Sequence, residues 1–229
     1  MRAAVVTGSA GGMGAAIAHR LRAAGMLVAG FDRSPSPACE LWLEVDVTSA
    51  DAVHAAVARV TDELAPITAY VSAAGHYESR PFTEVTAAQA RRMLQVHLGG
   101  LMNGARAVLP GMIAQGTGAI VAISSELAIG GGAADSHYAA AKGAMLGFVR
   151  SLAAEVAPTG VRVNAVAPGP TDTPLLPLDS PWRDSDYLAM LPTGRLATPE
   201  DVAACVDYLV TSGTFTIGET LHPNSGAVI

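Results

Sequence analysis

The stretch Val5–Leu21, VVTGSAGGMGAAIAHRL, passes from a β-branched apolar run through spaced glycines into an Ala-rich segment of helical period. Gly8, Gly12 and Gly14 therefore fall after an expected first strand and at the opening of an expected first helix. Glycine permits a tight turn and close backbone approach there, and the helix N-terminus offers free N–H groups and a positive dipole to a pyrophosphate. Three glycines are weak evidence alone, since a plain flexible turn uses the same residues. Asp32 adds to them: it ends the second apolar run eighteen residues past Gly14, where a ribose-binding carboxylate belongs. Its charge would repel a 2′-phosphate, which favours NAD over NADP. Arg33, beside it, is the residue able to greet a phosphate and ranks second to the carboxylate.

Outward from this stretch, short β-rich runs alternate with longer Ala-rich runs of helical period, the pattern of βαβ units and a parallel sheet. Strands are expected at about 3–7, 27–32, 41–46, 69–73, 119–124, 161–167 and 220–222. Helices are expected at about 13–24, 50–64, 87–115, 136–157 and 199–210. "TSAD" from Thr48 and "TPED" from Thr198 supply N-cap residues and early acids, and Pro110 is expected to bend the third helix. The fold class is α/β: a doubly wound parallel sheet flanked by helices, in one domain over residues 1–229. The one long irregular stretch, Pro174–Pro192, reads as a lid or binding loop.

Composition narrows the partners. Half of the 229 residues are hydrophobic, 15% are charged and 5% are aromatic, so Ala, Val, Leu and Gly must fill a large, dry core by close packing. A net charge of −6, with no Lys/Arg cluster denser than Arg91–Arg92, argues against nucleic acid or an anionic membrane. Cys39 and Cys205 lie far apart without a CxxC, as expected of reduced thiols in a cytoplasm. No apolar run reaches spanning length, and the N-terminus enters the glycine turn without a secretory apolar region. A cytoplasmic protein is expected.

Lys142 is the only lysine; the other thirteen basic side chains are Arg. Tyr138 lies four residues before it, so a helix presents both on one face, and Ser125 ends the preceding strand. A phenol of ordinary pKa ~10 needs a shift of roughly three units to exchange protons near neutrality, and a nearby cation favours the phenolate. Taken singly, the pair also reads as an exposed helix couple and the serine as a strand-end cap. Asp46 and Val47 read either as adenine contacts or as the turn before a helix.

Together these residues resemble the short-chain dehydrogenase/reductase family over essentially the whole chain. "TGSAGGMG" resembles its cofactor turn, "DVT" from Asp46 its adenine-side motif, "ISS" ending at Ser125 its catalytic serine, and "YAAAK" its active-site motif. "VNAVAPGPTDTP" and "GRLATPEDVA" resemble its nicotinamide segment and C-terminal helix entry. The resemblance implies a Rossmann-like fold with cofactor contacts from Gly8, Ala10, Gly12, Met13, Gly14, Asp32, Arg33, Asp46, Val47, Ala74, Gly75, Tyr138, Lys142, Pro168, Gly169, Thr171 and Thr173. It gives Ser125, Tyr138 and Lys142 catalytic roles, no metal, and a homotetramer or dimer built on the helices around 87–115 and 136–157. Two departures stand out. "SAAG" from Ser72 lacks the usual strand-tying amide, and His97 stands where the family commonly has an Asn supporting a proton path, so it reads equally as relay or as packing. The expected function is hydride transfer between NAD(H) and a small alcohol or ketone, with a pocket lined by Glu126, Leu127, His76, Tyr77 and the 175–187 loop. The rivals are an isomerase or dehydratase that retains NAD, and a non-catalytic nucleotide sensor.

Overall fold

The computed structural model describes residues 2–228. Seven parallel strands form one sheet in the order β3-β2-β1-β4-β5-β6-β7, comprising β1 (Ala3–Thr7), β2 (Leu27–Asp32), β3 (Leu41–Glu44), β4 (Ile67–Ser72), β5 (Gly118–Ile123), β6 (Val161–Val166) and β7 (Thr220–Leu221). The chain runs outward from β1 to β3 and then crosses back to place β4 on the other side of β1. That reversal opens a crevice at the carboxyl ends of the strands, the ligand position of open α/β sheets. The architecture is Rossmann-like, as the sequence pattern predicts.

The helices are α1 (Gly12–Ala23), α2 (Ala50–Glu63), α3 (Ala87–Leu94), α4 (Gly100–Gln115), α5 (Leu127–Gly130), α6 (Ser136–Val156), α7 (Ser185–Met190) and α8 (Pro199–Asp207). They bury the sheet on both faces, which is why β1 reads as a continuous apolar run. Ala3 and Val5 point into a core shared with Val60 of α2, Leu101 of α4 and Met145 of α6. Ala4 and Val6 point into the opposite core with Ile17 and Leu21 of α1 and Val206 of α8. Each fully buried Val contributes roughly 1.5–3 kcal/mol over an exposed one.

Local chemistry explains where helices begin. Ser49 accepts a hydrogen bond from the Ala52 N–H at the start of α2, and Thr198 and Asp201 cap α8 reciprocally. Thr86 and Gln89 form the same box at α3. The expected helix over 87–115 is interrupted: residues Gln95–Gly99 form a π-helical turn between α3 and α4, whereas α4 continues through Pro110. Wide turns of this kind recur at functional sites in helices. The segment expected to be irregular contains α7, and Arg183 pins it by donating to Asp172 Oδ1 at 2.7 Å and to the carbonyls of Leu176 and Pro177.

Candidate active site

The Gly-rich turn is shaped by backbone crowding. Gly14 has no room for a side chain, because a Cβ there would lie 2.0 Å from the Gly8 carbonyl oxygen. Gly8 has φ +70° and would bring a Cβ within 2.8 Å of the Ala74 backbone. Gly14 thus lets α1 approach β1 rather than facing a ligand, and Gly8 lets the first turn lie against the loop after β4. Gly11, at the N-cap of α1, gives no side-chain capping bond, so the first N–H groups of the helix are left for an anion.

Asp32 closes this end. Its Oδ2 accepts the Ala10 N–H at 3.0 Å and its Oδ1 the Ser34 N–H at 3.0 Å, leaving further lone pairs on both oxygens for hydroxyl donors. Asp32, Arg33, Asp46, Val47, Ala74 and Gly75 border one open groove. Asp46 also accepts bonds from the Thr48 N–H and Oγ1, which hold its carboxyl below the usual range, so it is both turn acid and groove wall. Arg92, which the sequence marks only as part of a basic pair, borders the groove too. The missing strand-tying amide has a substitute: Thr7 Oγ1 accepts the N–H groups of Ala73 and Ala74 at 3.1 and 3.0 Å.

Beyond the groove lies a second hollow. Met13, Ser125, Tyr138, Pro168, Gly169, Thr171 and Thr173 line it, and the Thr173 side chain lies 3.3 Å from where a Gly12 Cβ would be. Its outer wall is aromatic: Tyr77 meets Tyr138 edge-on at 5.1 Å and Trp182 at 5.6 Å. Tyr77 donates to Asp135 Oδ1 at 2.8 Å, which diverts that carboxylate from capping α6.

Lys142 is buried, with Nζ 5.6 Å from the Tyr138 ring centre and donating to the Ile123 carbonyl at 2.7 Å. Burial brings its pKa down to about 7. Tyr138 is pushed up to about 12, chiefly by burial and further by the charges of Asp135 and Glu126, against a lowering hydrogen bond with Ser125. The protein alone therefore does not give Tyr138 the lowered pKa that the sequence argument expects of Lys142, because desolvation weighs on phenol and ammonium alike. The Ser125 hydroxyl also accepts the Leu127 N–H at 3.2 Å.

His97 sits in the π-helical turn, 2% exposed, stacked on His76 at 5.6 Å and edge-on to Tyr138 at 5.5 Å. Its Nε2 lies 2.8 Å from the His76 carbonyl oxygen and 3.4 Å from the His76 N–H; the shorter contact favours a proton on Nε2, with Nδ1 the buried acceptor that has no partner. Burial, followed by the Lys142 charge, lowers its pKa well below the ordinary value. The ring covers Gly75, where a Cβ would lie 2.4 Å from its Cε1. It thus holds the loop after β4 and keeps a free lone pair.

The sequence places Glu126 only on the pocket wall, and its burial without a hydrogen bond comes from tertiary packing that no local pattern records. Among the described residues no group of His, Cys, Asp and Glu side chains is arranged to hold a metal ion, and no helix is long and apolar enough to cross a membrane.

A glycine turn before an uncapped helix N-terminus, a strand-end aspartate, and a hollow lined by Ser125 and Tyr138 with Lys142 buried near Tyr138 thus gather at the carboxyl ends of one parallel sheet. The sequence profile of the short chain dehydrogenase family matches residues 2–184, and the chain belongs to that family, whose members are oxidoreductases that use a nicotinamide cofactor with small-molecule substrates. It is 37% identical to a cis-4-hydroxycyclohexanecarboxylate dehydrogenase of Sinomonas cyclohexanicum, over 98% of this chain and 96% of the relative. It is 38% identical to the short-chain reductase protein NovJ of Streptomyces niveus, over 97% and 92%. A 3-oxoacyl-[acyl-carrier-protein] reductase FabG of Vibrio cholerae is 32% identical, over 98% and 96%.

Proposed function

We infer that this chain is an NAD-dependent dehydrogenase/reductase, one domain over residues 1–229, that interconverts a secondary alcohol and a ketone with Tyr138 as acid/base. The reading rests on one observation: Ser125 and Tyr138 line the same hollow, Lys142 is buried against Tyr138, and the hollow adjoins the glycine turn. The cradle fits a dinucleotide, because Gly8 and Gly14 close the turn tightly, no side chain stands at Gly11 or Gly12, and the α1 N-terminus is uncapped. Gly8, Ala10, Gly12 and Met13 would face the pyrophosphate side, Asp32 the adenosine ribose, Asp46, Val47, Ala74 and Gly75 the adenine side, and Pro168, Gly169, Thr171 and Thr173 the nicotinamide. When bound, the oxidised nicotinamide supplies the hydride acceptor and a positive charge beside Tyr138.

In oxidation, Tyr138 Oη takes the proton of the substrate hydroxyl while Ser125 Oγ orients that hydroxyl. Lys142, 5.6 Å from the Tyr138 ring centre, supplies the proton path behind Tyr138, and the cation that favours its phenolate would be the bound oxidised nicotinamide. His97, edge-on to Tyr138 with Nδ1 left without a partner, acts as a positioning residue. Asp32 sets the preference for NAD over NADP by repelling a 2′-phosphate, with Arg33 a lesser influence. The protein acts in the cytoplasm, where both free cysteines stay reduced; burial pushes the Cys39 thiol up to about 11. A homotetramer or dimer built on the helices over 87–115 (α3 and α4) and 136–157 (α6) is the expected assembly.

The test is formation of NADH with a panel of secondary alcohols, run in parallel with NADP and with titrations of both reduced cofactors. Catalytic NADH formation and tighter binding of NADH support the reading. NADPH binding equally or more tightly overturns the role of Asp32, and NADH formed only in a stoichiometric burst points to the NAD-retaining isomerase or dehydratase.

A further inference from the structure

The substrate-side hollow contains one ionisable carboxylate with no partner. Glu126 is 6% exposed, and its Oε2 is enclosed without a hydrogen bond. Its backbone leaves it little freedom: the N–H donates to the Pro168 carbonyl at 2.9 Å, and the carbonyl accepts from Ile129 and Gly130, each at 2.9 Å. Several other polar groups of the wall are engaged within the protein. Tyr77 donates to Asp135, Thr171 Oγ1 to the Gly169 carbonyl, and Ser125 Oγ accepts the Leu127 N–H. Leu175, Leu176 and Trp182 make the rest of the outer wall apolar.

A buried carboxyl left without a hydrogen bond costs stability, and binding sites commonly hold such unsatisfied groups for a ligand. Burial raises the pKa of Glu126 to about 7, and its charge in turn raises Tyr138 and Tyr187. A substrate donor relieves this site. Above about pH 7, where Glu126 is ionised, an anionic substituent would meet a like charge, so the carboxylate named in the Sinomonas relative's substrate does not suit it there.

We propose that Glu126 is the specificity-determining residue of the hollow, its carboxylate accepting a hydrogen bond from a second donor group, hydroxyl or ammonium, carried by the substrate away from the reacting carbinol. The substrate class is then a diol, hydroxyketone or amino alcohol rather than a simple alcohol or a hydroxy acid. This assignment rests on the dehydrogenase reading of the same site.

The experiment compares cyclohexanol, cis-1,4-cyclohexanediol, cis-4-aminocyclohexanol and cis-4-hydroxycyclohexanecarboxylate as substrates of the enzyme with NAD. The diol or the amino alcohol is expected to exceed cyclohexanol in kcat/KM by roughly 10- to 100-fold, the range of a hydrogen bond to a charged group, with the hydroxy acid below both. The larger gain identifies hydroxyl or ammonium as the natural donor. In Glu126→Met, with folding checked by thermal unfolding, the preference collapses to within about threefold of cyclohexanol. The wild-type comparison decides by itself if that variant does not fold. Cyclohexanol turnover without any preference, or a preference retained in Glu126→Met, overturns the role of Glu126 and leaves the dehydrogenase reading standing. If no alcohol is oxidised, that reading fails, and the same preference is sought in binding by calorimetry; its absence there overturns the Glu126 assignment as well.

Discussion

The groove over β1 and β2 and the hollow over β5 and β6 open at the carboxyl ends of the same sheet, but they are held by different forces. The groove is a backbone structure. Three of its walls are turns that directly follow strands, fixed by N–H groups: Ala10 to Asp32, Thr48 to Asp46, and Ala73 and Ala74 to Thr7, and Arg92, Gln95 and Val96 close the remaining side. The hollow is a side-chain structure. Tyr77, Glu126, Tyr138, Leu176 and Trp182 reach it from distant segments and meet through ring contacts. Backbone turns tolerate few sequences, whereas a wall of side chains can change residue by residue while the reacting groups stay where they are. On the function proposed above, the cofactor end is set by backbone and the substrate end by replaceable side chains.

The sharpest way to break this contrast is Tyr138→Phe. It leaves the ring and removes the phenol, so turnover should fall by roughly 10²–10⁴-fold with NADH binding retained in a fluorescence titration. Loss of NADH binding would mean that the two regions are not separable. Gly14→Ala acts at the other end. Its Cβ would meet the Gly8 carbonyl, and overpacking of this kind costs about 1–3 kcal/mol. Thermal unfolding and NADH titration should both show a loss, whereas a variant with wild-type values would mean that the turn yields.

What the sequence reveals divides along the same line. Gly8, Asp32, Asp46 and Gly75 are legible because a turn after a strand has a fixed place in the chain, and spacing reports it. The bounds of β1 and β2 are legible because strands buried on both faces read as nearly continuous apolar runs, whereas β3 ends two residues earlier than expected and β4 starts two residues earlier. The π-helical turn at 95–99 is not, since Ala-rich periodicity runs through both neighbouring helices and one extra residue barely disturbs it. Arg92 becomes a groove residue only when separate segments meet, whereas Trp182 falls in the 175–187 loop that the sequence already sets beside the pocket. The pKa of Tyr138 was argued from one neighbour, Lys142, and the folded site adds the desolvation that the argument lacked.

Two smaller effects sharpen the comparison. His97 belongs to both regions, tying the loop beside the groove and touching Tyr138. His97→Leu should lower turnover by up to about tenfold, the scale of one lost polar contact, and alter the low-pH limb of its profile, whereas His97→Asn should retain most activity. If His97→Leu matches wild type in rate and profile, the residue is packing alone.

The smallest effect is on stability. The folded pKa of Glu126 is raised from 4.5 to about 7, so its contribution is fully present below about 4.5 and is lost as pH rises through about 7. Lys142 is lowered from 10.5 to about 7, so its contribution is present above about 10.5 and is lost as pH falls through about 7. The two slopes oppose each other and meet near neutrality. In thermal melts across pH, Glu126→Gln should remove the decline between about 4.5 and 7 and leave the limb above 7 in place. An unchanged decline would show that Glu126 is not its source.

The wide turn between α3 and α4 also acts as an angular offset in a single rod. An α-helix advances about 100° per residue, so accommodating one additional residue rotates all that follows by that amount relative to all that precedes. Gly100 lies where any Cβ would press on Val47, and the phenol of Tyr70 reaches the Gly100 carbonyl at 3.3 Å, so the orientation of α4 against the sheet depends on that phase. Substitutions along this rod alter single contacts, but deletion of one residue from 95–99 would turn the imidazole of His97 away from Gly75 or turn α4 off its seat. Length, more than residue identity, is what this segment has to keep.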